Sequence, residues 1–231
     1  MSLWREAFGL PPKAKNTVAK RSYHAANTGR LFADFLASAR SPDSELKPDL
    51  VIMRNRARAL ARDDVYVKRY LTLLKTNVVG EKGMTLQVKA RNTDNSLDVI
   101  GNQIIEDAWA QFSMKGNCTS DGRLSWIDLQ KYVMEATARD GEAFVQIVRN
   151  RAFIHGIAFH PIEADMIDEQ KNERAKNGRE IRMGIELDEY QRPVAYWVKK
   201  RHPGDLDFAT YTVNVSERID AKNIIHVYDP L

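Results

Sequence analysis

Residues 125–149, SWIDLQKYVMEATARDGEAFVQIVR, contain the change from helical to extended structure that decides the fold class. Ser125 and Asp128 have a spacing related to the capping box, in which two polar side chains accept the free N–H groups of a helix start. The helix that they open is predicted to run to about Asp140. Gly141 then ends it, because glycine adopts the left-handed conformation without a steric penalty. The residues after this glycine predict a strand.

The residues before this boundary have helical periodicity. Apolar residues recur at helical spacing from Leu50 to Asn77, and the Asp63-Asp64 pair interrupts them. Because an aspartate side chain accepts backbone N–H groups at a helix start, two helices meeting near Asp64 are predicted. The apolar face of this pair is formed by Met53, Ala57, Leu60, Ala61, Val67, Tyr70, Leu71, Leu74 and Val78. A further helix is predicted near Asp98–Ser113, with Ile104, Ile105, Ala108, Trp109 and Phe112 on its apolar face.

Short apolar or alternating runs dominate the C-terminal third. A strand is also predicted before it, at Met84–Val88. The predicted C-terminal strands are Ala143–Arg149, Ile154–Phe159, Ile181–Leu187, Val194–Lys200, Tyr211–Val215 and Ile224–Tyr228. The clearest hairpin joins Gly184–Leu187 to Pro193–Val198 through Asp188–Arg192. The fold class is therefore α+β, with N-terminal helices followed by a mainly antiparallel β-rich region.

Charge and composition divide the chain into two parts. The 231 residues have a formal net charge of +4, and the excess lies largely near the N-terminus. We expect a basic, partly disordered arm over residues 1–49 and an α+β domain over residues 50–231. The single cysteine, Cys118, fits a reducing compartment. No apolar run reaches the roughly 20 residues needed to span a bilayer, so no membrane contact is expected and the protein is expected to be cytosolic where it is made.

Two acidic groups suggest metal-dependent nuclease chemistry. Glu163, Asp165, Asp168 and Glu169 are close in sequence, and Asp140-Gly141-Glu142 precedes a strand. Carboxylates at a strand edge can position Mg²⁺ against a phosphate. A solvated turn and the chemistry of a helix end explain the same residues without a metal. A nuclease that uses Asp140, Glu142 and Asp165 or Asp168 is therefore one hypothesis.

Other catalytic chemistries lack their usual motifs. No nucleophile elbow, phosphate-binding loop or dinucleotide fingerprint occurs in the sequence. No two of the five histidines (His24, His155, His160, His202 and His226) have the spacing that places two imidazoles on one helix face. His226 is expected to be a core histidine with satisfied hydrogen bonds. Cys118 as a nucleophile would need a lowered pKa, which sequence does not show.

Arginines recur along the first predicted helix. Arg54, Arg58 and Arg62 are four residues apart and share one face. They are candidates for contact with phosphate or with an acidic neighbouring subunit. A solvated face, with long stems covering apolar surface, is the alternative. With the basic arm, they also allow a plain DNA-binding module.

Several stretches, taken in order, resemble the lambda-type family of phage portal proteins. These stretches are RNRARALARDDVYVKRYLTLLKTNVVGEKGMTLQ (54–87), DGRLSWIDLQKYVMEATARDGEAFVQ (121–146), HPIEADMID (160–168), GIELDEYQRPVAYWVKKRHPGD (184–205) and ERIDAKNIIHVYDP (217–230). Their order and spacing carry the resemblance over about Arg54–Pro230. One departure is Asp63-Asp64-Val65, where the family often has Asn-Asn-Pro.

The resemblance implies a structural ring subunit and no enzyme, cofactor or metal. Such subunits form a ring, typically dodecameric, at one capsid vertex, and the ring is the channel for DNA packaging and ejection. The implied partners are copies of the subunit, duplex DNA, the terminase, capsid or scaffolding protein, and head–tail joining proteins. The implied location is the virion, with the host cytoplasm during assembly. The chain is expected to be a fragment that supplies the outer wing, with stem and clip absent, and to associate weakly by itself.

Overall fold

Helices form the first half of the chain in the computed structural model, which describes residue 30 and residues 41–175, 178–204 and 215–229. The chain divides into two units, Met1–Ser41 and Pro42–Leu231, and the described residues belong almost entirely to the second. Most of the predicted basic arm lies outside the described residues. So does the predicted strand Tyr211–Val215, except for its last residue.

Within the described residues, five α-helices precede the sheets. They are α1 (Pro42–Leu46), α2 (Leu50–Asp63), α3 (Val65–Leu74), α4 (Val99–Phe112) and α5 (Trp126–Asp140). A π-helical turn, Lys75–Val79, extends α3. None of the helices in this part of the chain is long and apolar enough to cross a bilayer.

The predicted helix ends are confirmed by their caps. Asp64 separates α2 from α3, and its side chain accepts the Val67 N–H at 2.9 Å. Ser125 and Asp128 form a complete capping box at the start of α5. Gly141 ends α5 in the left-handed conformation, with φ 87°. Aspartate therefore caps the helix break without the proline that the family often has there.

The strands form two antiparallel sheets. The first has the order β2-β1-β8, with β1 (Glu142–Arg149), β2 (Ile157–Ile162) and β8 (Ile224–Tyr228). The second has the order β3-β4-β5-β6-β7. Its strands are β3 (Glu173–Arg174), β4 (Glu180–Arg182), β5 (Ile185–Leu187), β6 (Pro193–Lys199) and β7 (Ser216–Asp220). The predicted α+β class is confirmed, with mainly antiparallel pairing.

Strand β1 contributes to a hydrophobic core on each side of the first sheet. Phe144 packs with Tyr196 of the second sheet in one core. The next residue, Val145, packs with Phe112 of α4 and Leu129 of α5 in the other. Successive residues of a strand point to opposite faces, so the first sheet lies between the helices and the second sheet.

One strand prediction is wrong, and two others have incorrect bounds. Met84–Val88 does not form a strand, because side chains bind its backbone instead: Gln130 Oε1 accepts the Met84 N–H at 2.7 Å, and Glu106 Oε1 accepts the Val88 N–H at 2.8 Å. Ile181–Leu187 is two strands, because Met183 and Gly184 turn the chain with φ of 46° and 80°. In the predicted strand Ile154–Phe159, pairing begins only at Ile157.

The apolar face predicted for α2 is also wrong. Met53 is 56% exposed and Leu60 is 54% exposed. The buried residues of this helix are Leu50 and Arg54. The helix therefore turns Arg54 and Arg58 toward the rest of the domain, and the partners of these two arginines explain why.

Candidate functional site

Arg54 lies at the centre of a cluster of acidic side chains. Its side chain is only 4% exposed, and its guanidinium forms ion pairs with Glu142, Asp165 and Glu169. The Glu169 contact is 3.3 Å and the Asp165 contact is 3.7 Å. Arginine suits this position because its planar guanidinium presents several donors in fixed directions. Helix α2 thus packs on the domain through ion pairs of a buried arginine, at a position where an apolar side chain would be usual.

Arg58 extends the cluster by one helical turn. Its Nε donates to Asp140 Oδ1 at 2.9 Å, and its second terminal nitrogen donates to Asp140 Oδ2 at 3.1 Å. Its remaining nitrogen binds Asp165. Arg139, at the end of α5, binds Asp140 at 2.8 Å from the other side. Asp140 is therefore shared by two arginines and is 4% exposed.

Two histidines complete the cluster. His226 Nε2 lies 2.9 Å from Glu142 Oε2, and the ring stacks on Phe144 with centroids 4.2 Å apart. The prediction of a core histidine with satisfied hydrogen bonds is confirmed at His226. His202 Nε2 lies 3.3 Å from Glu163 and 3.5 Å from Asp165.

We call this set the buried ion-pair network: Arg54, Arg58, Arg139, Asp140, Glu142, Asp165 and Glu169, with His202 and His226 at its edges. Three guanidinium groups face four carboxylates, so charge is nearly balanced before the histidines are counted. Burying a charge costs much free energy unless an opposite charge accompanies it. The near balance is what allows so many charged groups to lie inside the domain.

The pKa of Asp140 shows the balance between burial and pairing. Burial alone would raise it, but the hydrogen bonds from Arg139 and Arg58 outweigh burial and hold the pKa below its ordinary value. The pKa of Arg58 is raised, first by its hydrogen bond to Asp140. Both groups therefore stay charged near neutral pH, and neither is poised to exchange a proton there.

The network brings together most of the carboxylates predicted for a nuclease. Asp140, Glu142 and Asp165 converge, but they converge on arginines. The fourth candidate, Asp168, binds the second sheet through its backbone, where its N–H donates to Trp197 O of β6 at 2.9 Å. In the part of the chain that the structure describes, no group of three acidic, histidine or cysteine side chains has the arrangement of a metal site.

The other candidate residues are dispersed. Arg62 is exposed on α2, while Arg54 and Arg58 lie inside the network. His160 Nδ1 lies 2.8 Å from Ser120 Oγ, and the rings of His155 and Phe112 meet edge to face. His24 lies outside the described residues. The role of the arginine face in contacting phosphate or a subunit stays a prediction, and Arg62 is the member that is free of the network.

Cys118 is unsuited to nucleophilic chemistry. It is fully buried in the core between the helices and the first sheet. Burial raises the pKa of its thiol to about 11. The thiolate is the reactive form of cysteine, so this thiol is inert near neutral pH.

Sequence reasoning missed Arg139 and the inward direction of Arg54 and Arg58. Arg139 directly precedes Asp140, and this adjacency was the one local indication of a paired acid. The remaining partners are far apart in sequence, since Arg54 and Glu169 are separated by 115 residues and Arg58 and Asp140 by 82. No local pattern reports such contacts.

Fold and site together define an α+β protein in which the converging acids are ion-paired. The family model described as phage portal protein, lambda family, matches residues 28–231. A probable portal protein of Halomonas phage phiHAP-1 is 34% identical over 221 residues, which cover 95% of this chain. The chain therefore belongs to the lambda family of phage portal proteins. It spans 42% of the length of that relative.

Replacing Arg54 by methionine tests the network against a matched control on the same helix. Arg54→Met leaves three partly buried carboxylates without their shared cation, so we expect the free energy of unfolding to fall by about 3–5 kcal/mol. Arg56→Met changes an exposed arginine of α2 and should alter it by no more than about 0.5 kcal/mol. Urea unfolding followed by tryptophan fluorescence measures both. Equal effects of the two substitutions would contradict the role of Arg54.

The lowered pKa of Asp140 predicts a dependence of stability on pH. The charged carboxylate stabilises the folded state above the ordinary pKa of aspartate, about 3.9, and this contribution is lost as the pH falls through the lower folded-state pKa. The stability difference between the wild type and Asp140→Asn should therefore be full near pH 6 and shrink below about pH 4. Urea unfolding at a series of pH values measures it, with the exposed Asp63→Asn as control. A difference that stays constant down to acid pH would refute the assignment.

Proposed function

We propose that this chain is the wing part of a phage portal subunit, with residues 50–231 forming the wing domain and residues 1–49 a basic arm. The subunit would form a ring at one capsid vertex, and the ring would be the channel through which duplex DNA is packaged and ejected. The terminase would dock on this ring during packaging. Capsid or scaffolding protein and head–tail joining proteins would be its other contacts. Membership of the portal family supports the proposal.

The buried ion-pair network is the observation that favours a structural role over a catalytic one. A metal-dependent nuclease needs carboxylates that are open to a cation and to a phosphate. Here Asp140, Glu142 and Asp165 are each occupied by arginine. The same pairing withdraws Arg54 and Arg58 from phosphate contact. We infer that the network serves to fix α2 on the sheets, and that the chain works through its shape and its surfaces.

The place of action follows from the same proposal. The ring would be part of the virion, at the capsid vertex, and would assemble in the host cytoplasm. Neither catalysis nor a cofactor is required for this role. Duplex DNA would meet the ring in its channel, and the mixed charge of the chain, with 35 basic and 31 acidic residues, suits contacts with other proteins.

Electron microscopy of the product of the whole reading frame tests the proposal. The expected result is a closed ring with a central channel, and native mass spectrometry should give an integral number of subunits near twelve. A product that stays monomeric at micromolar concentration would contradict the portal role. The nuclease alternative has its own readout, since plasmid cleavage with Mg²⁺ or Mn²⁺ that Asp140→Asn abolishes would also overturn the proposal. Equal recovery of intact plasmid with and without the protein is expected.

A further inference from the structure

Helix α4 is apolar on two sides, and only one of them packs inside the domain. Its inner side contributes Phe112 and Trp109 to the core shared with α5 and the first sheet. On its outer side Val99, Ile100 and Ile104 are 72%, 76% and 63% exposed. Ile100 and Ile104 are one turn apart and therefore lie side by side. A helix that is apolar on both sides is typical of an element covered on both sides.

Helix α3 has a second exposed apolar surface. Leu71 is the buried residue of this helix. On other sides of the helix Val65, Tyr66 and Tyr70 are 74%, 86% and 55% exposed. Tyrosine combines a large apolar ring with a polar end, which is why it is enriched where proteins meet. The two exposed surfaces lie on different parts of the domain. The α3 surface belongs to the helical pair α2–α3, and the α4 surface belongs to the helix that packs with α5.

The two surfaces carry opposite charge. Helix α4 contains Glu106 and Asp107 and no basic residue. Helix α3 contains Lys68 and Arg69 and no acidic residue. The side chains of Asp107, Lys68 and Arg69 are exposed. Complementary charge around apolar centres favours binding of one surface to the other and disfavours binding of either surface to itself.

We propose that the outer surface of α4 on one copy of the chain binds the exposed surface of α3 on the next copy. The inference rests on the proposed portal function and names the contact through which neighbouring subunits meet. A ring that closes by rotation needs two different surfaces on each subunit, which meet head to tail. The α4 surface and the α3 surface are two such surfaces, because both are apolar at their centres and their charges are opposite. Asp63 and Asp64 separate Arg62 from the α3 surface in sequence, so the positive charge of this surface is assigned to Lys68 and Arg69 alone.

Disulfide trapping tests the contact even where association is weak. One variant carries Ile104→Cys and another carries Tyr66→Cys, and Cys118 does not compete because it is fully buried. When the two are mixed under mild oxidation, the mixed disulfide should form severalfold faster than either like disulfide. Tyr190→Cys is the control, since Tyr190 is 71% exposed in the turn between β5 and β6. It should form no preferred disulfide with either partner.

A charge exchange separates a specific contact from random collision. Asp107→Lys added to the Ile104→Cys chain should slow the mixed disulfide, and Arg69→Glu added to the Tyr66→Cys chain should restore it. Equal rates for mixed and like disulfides, or no response to the charge exchange, would overturn the contact. The proposal also fails if both cysteines are protected from a maleimide reagent in the unmixed variants, because another segment of the same chain would then cover these surfaces.

Both cysteines are then placed in each copy of the product of the whole reading frame. This experiment distinguishes failure of the contact from failure of the proposed function. Subunits linked into a ladder of covalent oligomers within an intact ring support the contact. An intact ring without such links would show that the ring uses other surfaces, and the portal role would stand. Absence of any ring would remove both proposals.

Discussion

The ion pairs of Arg54 are the interaction on which the rest of the structure depends. They connect α2 to the start of β1 through Glu142 and to the segment after β2 through Asp165 and Glu169. One turn further on, Arg58 connects the same helix to the end of α5 through Asp140. These ion pairs thereby connect α2 to α5 and to the first sheet at once. Since little apolar surface of α2 is buried, these contacts set where the helix lies.

Buried ion pairs fix the position of a helix more strongly than they add to the net free energy of unfolding. Taking charges out of water costs several kcal/mol per ion, and mutual attraction repays this only when the geometry is good. Replacing a whole buried network by apolar side chains is often neutral or stabilising, whereas removing one partner is costly. We infer that the network acts mainly by excluding other positions of α2, because a shift of the helix would leave a buried charge without a partner. In the proposed ring, a rigid relation between the helices and the sheets would help each subunit to match its neighbours.

The local elements could be predicted because their causes are local. Asp64, Ser125 with Asp128, and Gly141 end or begin helices through contacts with residues at most four positions away. The hairpin of β5 and β6 likewise depends on one turn, in which Asp188 Oδ1 accepts the N–H groups of Tyr190 and Arg192 at 2.8 Å. Helix and strand bounds in these regions follow directly from such residues. The resemblance to the lambda-type portal family could also be seen in the sequence, because the motifs of the family occur in the same order along the chain.

The remaining errors have causes that are distant in sequence. Met84–Val88 alternates like a strand, yet its backbone is bound by side chains of α4 and α5. Ser216–Asp220 forms β7 although its residues are mostly charged; it pairs with β6, and Arg218 binds Glu186, which is 1% exposed in the second sheet. The inward direction of Arg54 and Arg58 could not be predicted, because the carboxylates that bind them are more than 80 residues away.

A double-mutant cycle between Arg54 and Glu142 measures the central interaction most directly. The free energies of unfolding of the wild type, Arg54→Met, Glu142→Gln and the double variant give the energy that the two side chains share. Removing both side chains should lower the free energy of unfolding by about 1–3 kcal/mol less than the sum of the two single changes. Additivity to within about 0.5 kcal/mol would contradict the account, because it would show that α2 is held by something other than this pair.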